Sequence, residues 1–342
     1  MKRNIFNVIK YSLLIFLVIF LYKIFWPRNY IVPESQLRVS TKYWNLTTGS
    51  KIGYIFIAGM GSKKNYPIIY LHGGPGGFVS DRDISVLSTL AEDGYDIYFY
   101  DQIGSGQSAR LENINDYTAD RHVKDLNEIV SKVGAEKVIL LGQSWGAILA
   151  TLFTAVNPAK VEKIILSSPG PIFPFRQELK NVTPPDSLHL RTPFYSNNQG
   201  NEKANNWRIK TITFCATKFY KKLASDKEVD NFASYLNFEV NKSTVCDTAN
   251  ILKTVAGSGF YAAVMTFKSL DLVQDPRPKL NNSNIPILVI KGQCDNQKWG
   301  FTNEYLELFR NHQFAFIPDA GHFISVEQPE SYIKAIKGFL SK

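Results

Sequence analysis

A serine, an aspartate and a histidine, in that chain order, are the side chains with which this sequence could break an acyl bond. Ser144 lies within Gly142-Gln-Ser-Trp-Gly146, and Asp295 and His322 each come shortly after an apolar run. A serine hydroxyl is a poor nucleophile near neutral pH, so acyl transfer needs a base to take its proton and a carboxylate to orient the base. The sequence predicts Ser144 as nucleophile, His322 as general base and later acid, and Asp295 as orienting carboxylate.

The residues on either side of Ser144 predict how it is presented. Residues 138–141 are apolar and rich in β-branched types, and residues 147–156 contain no Gly or Pro before Asn157-Pro158. A Gly-x-Ser-x-Gly string alone is also compatible with an ordinary turn. The order of strand, turn and helix favours a nucleophile elbow, in which a Cβ on Gly142 or Gly146 would collide with neighbouring backbone.

A second glycine-rich segment, His72-Gly-Gly-Pro-Gly-Gly77, follows the apolar residues 68–71. Such a loop can turn backbone N–H groups toward a developing oxyanion. We predict the N–H groups of Gly74 and Trp145 as the two donors, and His72 as a residue that ties the loop down. A phosphate-binding loop is the alternative, but the Lys-Ser or Lys-Thr ending of that motif is missing.

Apolar runs that alternate with helical segments predict a parallel sheet, whose ligand sites lie at the carboxyl ends of the strands. Strands are expected at residues 95–100, 163–167, 285–290 and 314–317, with helices at 84–92, 118–133 and 328–340. Residues 37–46 and 51–60 predict an antiparallel hairpin ahead of them. Asp101, which precedes a turn rich in Gly and Ser, is expected to accept backbone N–H groups in that turn.

The pattern changes between the two halves of this sheet. In residues 173–280 the apolar runs stop, aromatic residues, Lys and Asn increase, and residues 207–223 and 231–240 predict helices. We therefore expect an α/β core in residues 31–172 and 281–342, with a helical cap inserted at 173–280.

The first 30 residues are expected to lie outside this core. Lys2, Arg3 and Lys10 precede an apolar run at residues 11–26 that only Lys23 interrupts. A cleaved signal sequence is one interpretation, but the residues that follow lack the small-x-small pattern of a cleavage site. We predict a membrane anchor whose basic start stays in the cytoplasm, which leaves the catalytic domain outside.

The composition of the chain argues against nucleic-acid binding and against a metal site. The chain has 342 residues, of which 44% are hydrophobic, and its net charge of +9 is scattered rather than clustered, so nucleic-acid binding is not predicted. The three cysteines lack zinc-site spacing, and neither a metal nor another cofactor is expected. Cys294 is interpreted as a core residue, while Cys215 and Cys246 could pair in an oxidising compartment.

Together the motifs resemble the α/β-hydrolase superfamily, and within it the proline iminopeptidase group of serine peptidases. They are HGGPG at residues 72–76, DQxGSGxS at 101–108, GQSWG at 142–146, GxxD at 292–295 and Gly321-His322. The resemblance implies a mostly parallel eight-stranded sheet with helices on both faces. It also implies a helical cap whose acidic residues hold the free amino terminus of the substrate.

The cap departs from that family's pattern. Its Trp-x-x-Trp-Glu-like segment is absent, and the nearest piece, Asn205-Asn-Trp-Arg208, has an arginine where a carboxylate is needed. Glu202 and Glu239 are the predicted substitutes for binding the substrate. The functions that remain open are an aminopeptidase acting on short peptides, a carboxylic-ester or lactone hydrolase acting on a small molecule, and a catalytically silent binding protein. The oligomeric state stays open.

Overall fold

A computed structural model describes residues 2–35, 38–251 and 253–342, and eight strands in this part form one sheet. Across the sheet they lie in the order β1-β2-β4-β3-β5-β6-β7-β8. The strands are β1 (Lys42–Asn45), β2 (Lys51–Ile57), β3 (Ile68–Leu71), β4 (Ile97–Tyr100), β5 (Val138–Gln143), β6 (Val161–Ser167), β7 (Ile287–Gly292) and β8 (His312–Ile317). β2 is antiparallel to β1 and β4, and the other pairs are parallel. The predicted hairpin and mostly parallel sheet are confirmed, although residue 37 lies outside the described residues.

The central strands are buried on both faces. Every residue of β3 and β5 is buried, as expected for parallel strands covered by helices on each side. Because successive side chains alternate between faces, Ile69 and Leu140 join one hydrophobic cluster, while Ile68 and Ile139 join the other. These two cores hold the carboxyl ends of β3 and β5 side by side.

The helices follow the predicted positions with shifted ends. They are α1 (Lys2–Phe25), α2 (Asp81–Leu87), α3 (Ala119–Val133), α4 (Trp145–Val156), α5 (Asn197–Ala204), α6 (Trp207–Phe214), α7 (Asp226–Asn241), α8 (Phe260–Ser269), α9 (Arg277–Leu280), α10 (Trp299–Leu308), α11 (Ile324–Glu327) and α12 (Pro329–Leu340). The predicted helix at 84–92 is α2 continued by the 3₁₀-helix Ser88–Asp93. The predicted helix at 207–223 is shorter, because α6 gives way to the π-helix Cys215–Phe219.

Helices α5 to α9 lie between β6 and β7, which are neighbours in the sheet. The chain therefore leaves the sheet after Ser167 and returns beside the same strand at Ile287. This is the arrangement that an inserted cap requires. The exact boundaries at 172/173 and 280/281 stay a prediction.

Helix α1 lies at the edge of this fold. Its segment Ile5–Phe25 is long and apolar enough to cross a membrane, at 21 residues or about 32 Å, against the roughly 30 Å hydrocarbon core of a bilayer. A signal sequence near the N-terminus meets the same criterion. The anchor therefore stays a prediction.

Candidate active site

Ser144 occupies the sharp turn between β5 and α4. Its φ of 55° and ψ of −113° lie in a region that non-glycine residues rarely adopt, which is the kind of strain that tends to mark functional sites. The Ser144 N–H donates to the carbonyl of Ser167 at 3.0 Å. The serine is partly exposed while Gln143 and Trp145 beside it are buried. The turn thus presents a hydroxyl above the sheet.

The two flanking glycines make this turn possible. A Cβ on Gly142 would lie 2.6 Å from the backbone nitrogen of Ala147, and one on Gly146 would lie 2.6 Å from the carbonyl carbon of Leu71. Both separations are well inside van der Waals contact. Strand, turn and helix can therefore pack this tightly only when neither position carries a side chain.

Asp295 and His322 form a buried pair at the neighbouring carboxyl ends of β7 and β8. His322 Nδ1 and Asp295 Oδ1 are 2.8 Å apart. Burial raises the pKa of Asp295, but the Lys291 ammonium and His322 outweigh it and hold that pKa well below its usual range. An ionised Asp295 can only accept, so Nδ1 carries the ring proton and donates it in this hydrogen bond, which leaves the basic lone pair on Nε2.

The third contact of a triad is not formed. In the described part of the chain, Ser144 Oγ makes no hydrogen bond to His322 Nε2. Hydrogen bonds of this kind are often long in enzymes without substrate and shorten when substrate binds. The structure therefore brings the base His322 and the carboxylate Asp295 together, while the hydrogen bond from Ser144 to the base is still to be formed.

The two segments that carry the predicted oxyanion donors adjoin Ser144. Within the described ranges, no acceptor takes the N–H of Gly74 or of Trp145. A Cβ on Gly73 would lie 3.3 Å from the Cβ of Ser144, so the glycine-rich loop runs directly past the serine. Trp145 is the first residue of α4, where the helix dipole also favours negative charge.

A buried network holds this loop against the elbow. His72 Nε2 accepts the N–H of Gln102 at 2.9 Å, and His72 Nδ1 lies 2.8 Å from the Gly73 carbonyl, so both ring nitrogens are occupied. The Trp145 indole donates to Gln102 Oε1 at 2.7 Å. The predicted tying role of His72 is confirmed. Gln102 is a positioning residue that sequence reasoning missed, although it lies in the DQxGSGxS motif that also contains Asp101.

Asp101 has the structural role that its position predicts. Its carboxylate accepts the N–H groups of Val79 and Gln107, each at 2.8 Å. A Cβ on Gly106 would overlap this carboxyl group. Asp101 therefore braces the turn and is not free to orient a base.

Comparison with known proteins identifies the family. Residues 66–329 match the family model described as alpha/beta hydrolase fold, which is well over half of the chain. The chain belongs to the α/β-hydrolase superfamily.

This hydrolase is similar to the proline iminopeptidase of Heyndrickxia coagulans, with 25% identity over 276 residues that cover 80% of this chain and 90% of the relative. Its fold is similar to that of the proline iminopeptidase of Mycobacterium smegmatis, with a TM-score of 0.58, 19% identity, and coverage of 88% of this chain and 98% of that one. It is also similar to a thermophilic esterase from Thermogutta terrifontis, with a TM-score of 0.60, 19% identity, and coverage of 90% and 98%. The resemblance to proline iminopeptidases is thus confirmed, while the structural likenesses show the fold alone.

Lys291 is a second positioning residue of this hydrolase that sequence reasoning missed. Its ammonium lies 3.0 Å from Asp295 Oδ2 and 3.0 Å from the carbonyl of Gln297, and its side chain is 1% exposed. The Gln297 N–H donates to Asp295 Oδ1 at 3.1 Å. A lysine inside the apolar run of β7, four residues before the candidate aspartate, was the available signal.

The cap of the hydrolase is hydrogen-bonded to the loop that carries His322. His322 N–H donates to the carbonyl of Thr244, just after α7, at 2.7 Å. Glu327 accepts the N–H groups of Cys246 at 2.9 Å and of Gly321 at 2.6 Å. The end of α7 therefore sets the position of the His322 loop.

The cysteine prediction was wrong in two respects. Cys246 is bonded to Cys294, with their Cα atoms 5.2 Å apart, and Cys215 is free. The reason is that Cys294, next to Asp295, meets the chain after α7, whereas Cys215 belongs to the π-helix after α6. The disulfide thus links the cap to the loop of the candidate aspartate.

Breaking this link should loosen the cap. Because the bond closes a loop of 48 residues, we expect Cys246→Ser with Cys294→Ser to lower the free energy of unfolding by about 2–4 kcal/mol. Denaturant unfolding of the variant and the wild type measures it, with Cys215→Ser as the matched control that leaves the bond intact. A loss no larger than that of the control would contradict the linking role.

The two predicted substrate-binding glutamates do not join the triad residues through any hydrogen bond in the described ranges. The Glu239 carboxylate lies 3.0 Å from Lys203 Nζ and 2.6 Å from Lys242 Nζ. Burial alone would raise the pKa of Glu239, but the two ammonium groups outweigh it and lower that pKa. Glu202 is exposed on α5. Glu239 is therefore already neutralised by the cap's own lysines.

Proposed function

We propose that this hydrolase is a serine hydrolase that works through an acyl-enzyme on Ser144. The observation that carries the proposal is the buried His322–Asp295 pair, 2.8 Å apart, at the same end of the sheet as the strained elbow serine. A base oriented by a carboxylate, at the same sheet edge as a partly exposed hydroxyl, is the arrangement from which acyl transfer can proceed.

In the proposed reaction His322 Nε2 takes the Ser144 proton while Oγ attacks the substrate carbonyl carbon. The oxyanion accepts the N–H groups of Gly74 and Trp145, and His322 then gives its proton to the leaving group. Water attacks the resulting ester by the same path and regenerates the serine. Asp295 stays ionised throughout and stabilises the imidazolium.

For the substrate we propose a short peptide with a free amino terminus, and the similarity of the chain to proline iminopeptidases supports it. Glu202 and Glu239 are the proposed residues for the amino group. A second candidate, a carboxylic ester or lactone, is favoured by a specific observation. Three cap carboxylates, Glu228, Asp230 and Glu239, already pair with arginine or lysine.

A pair of matched substrates tests this choice. We expect the purified full chain to hydrolyse a prolyl arylamide at least about 100-fold more efficiently than its N-acetyl form, because acetylation removes the positive charge that Glu202 and Glu239 are proposed to bind. A short-chain aryl ester serves as the comparison. Turnover of the ester with none of either amide would support the second candidate, and turnover of none of the three would favour the silent binding protein.

We also propose that α1 anchors the chain and that residues 38–342 lie outside the cytoplasm. The Cys246–Cys294 bond supports an oxidising compartment, and the basic residues before the apolar run support a cytoplasmic N-terminus. A protease that cannot cross membranes should digest residues 38–342 from outside intact cells. Their full protection would mean the opposite orientation.

A further inference from the structure

The outer face of α6 and the following π-helix has an unusual composition. The buried side of this segment, with Arg208, Ile209 and Ile212, packs into the cap. On the outside, every exposed side chain from residue 207 to 221 is aromatic or a lysine. They are Trp207, Lys210, Phe214, Lys218, Phe219, Tyr220 and Lys221, and we call them the aromatic–lysine face.

These aromatic side chains are open to the surroundings. Trp207 is 60% exposed, Phe214 52% and Phe219 61%. Residues 207–221 contain no Asp or Glu. In the described part of the chain no carboxylate pairs with Lys210, Lys218 or Lys221, whereas Lys222, outside the face, pairs with Asp226. Aromatic rings interleaved with unpaired lysines are typical of segments that lie in the interface of a lipid bilayer.

The aromatic–lysine face adjoins the end of α1. The ring centroids of Phe20 and Trp207 are 6.2 Å apart in an edge-on contact. The Arg208 guanidinium donates to the carbonyl of Ile24 at 2.8 Å and also pairs with Glu228. These contacts fasten the last turns of α1 to α6, so the height of α1 in a bilayer sets the height of this face.

The contact with Phe20 gives an estimate of depth. Phe20 lies five residues before the end of α1 at Phe25, which is about 7 Å along a helix. If the end of α1 marks the membrane surface, Trp207 lies about 7 Å below it, within the 5–10 Å at which interfacial helices bury their apolar faces.

We propose that the aromatic–lysine face docks on the bilayer surface, with its rings among the headgroups and its lysines on anionic lipids. This inference rests on the proposed anchoring by α1. A second copy of the chain fits the face less well, because an identical surface would oppose lysine to lysine. Anionic headgroups in the leaflet around the end of α1 complement that charge.

Nitroxide labels on single cysteines test the docking in the full chain. In a Cys215→Ser background, labels are attached at Phe214→Cys on the face, Val18→Cys in α1 and Ser131→Cys on α3, an exposed control outside the cap. The chain is reconstituted into phosphatidylcholine vesicles with or without phosphatidylglycerol. Collision rates with oxygen and with a water-soluble nickel chelate then report depth.

We expect the label at position 214 to collide with the chelate about fivefold less than the control label, and the label at 18 less still. Replacing the three lysines of the face by glutamine should restore part of the collisions at 214 in vesicles with phosphatidylglycerol. A label at 18 in lipid with one at 214 in water would overturn the docking and leave the anchor standing. Both labels in water would overturn the anchoring and the docking with it.

Dilution separates lipid from a second copy of the chain. Protection of position 214 by lipid should persist when each vesicle holds no more than one chain. Protection that disappears on dilution would assign the face to contact between copies and overturn the proposal.

Discussion

Ser144→Ala should lower kcat about 10⁴-fold or more on any substrate that the wild-type chain hydrolyses, with little change in KM. The substitution removes Oγ, the atom that bonds to the substrate carbonyl carbon in the proposed mechanism. The loop with Gly74 and the N–H of Trp145 can still bind the substrate. Steady-state kinetics on the arylamide and the aryl ester measure the effect.

The control for this variant is Ser131→Ala, which alters an exposed serine on α3. Ser144→Ala should unfold at the wild-type temperature, because Ser144 Oγ makes no hydrogen bond in the described part of the structure. Ser144→Ala with more than a tenth of the wild-type kcat would assign the nucleophile to another residue.

Asp295→Asn should reduce kcat by a similar factor of about 10⁴, by an effect on the tautomer of His322. The Lys291 ammonium, 3.0 Å from Oδ2, can only donate, so it would draw the amide oxygen toward itself. The amide NH₂ group would then face His322 Nδ1 and require it to accept. The proton would move to Nε2, which could no longer act as a base.

The pH profile and a matched variant complete this test. The lowered pKa of Asp295 means that its contribution to stability is present above its unfolded pKa and is lost only as the pH falls through the lower folded value. Mild acid should therefore leave the contribution of Asp295 to stability in place, and a loss of wild-type activity there should not arise from protonation of Asp295. Asp116→Asn, at an exposed site, is the control, and a wild-type kcat for Asp295→Asn would remove the aspartate from the mechanism.

Much of this site could be predicted because it depends on local sequence. The elbow needs a buried strand, two glycines and a helix in succession, and residues 138–156 contain all three. Asp295 and His322 were predictable because parallel strands end at one edge of the sheet, so that the residues after β7 and β8 must be neighbours.

What the sequence could not predict depends on packing between distant segments. Gln102 joins His72 to Trp145 only because β3, β4 and β5 are adjacent. Cys294 reaches Cys246 only because the end of α7 rests on the loop after β7. Such pairings follow from the three-dimensional path of the cap and leave no periodic signal in the chain.

The cap glutamates illustrate the same limit. Glu239 has the residue type that an amino group would require, but its ion pair with Lys203 depends on how α5 packs against α7. The end of α6 could not be predicted from the sequence either. The helix changes to a π-helix at Cys215, and residue types do not reveal such a change in hydrogen-bond register.

The most direct test of the central claim is to react the full chain with a fluorophosphonate and to locate the adduct by mass spectrometry of its peptides. Such reagents phosphonylate a serine that a neighbouring base has activated. We expect one adduct per chain, on Ser144, that is lost in Ser144→Ala and forms far more slowly in Asp295→Asn. An adduct on another serine, or no adduct on a correctly folded chain, would contradict it.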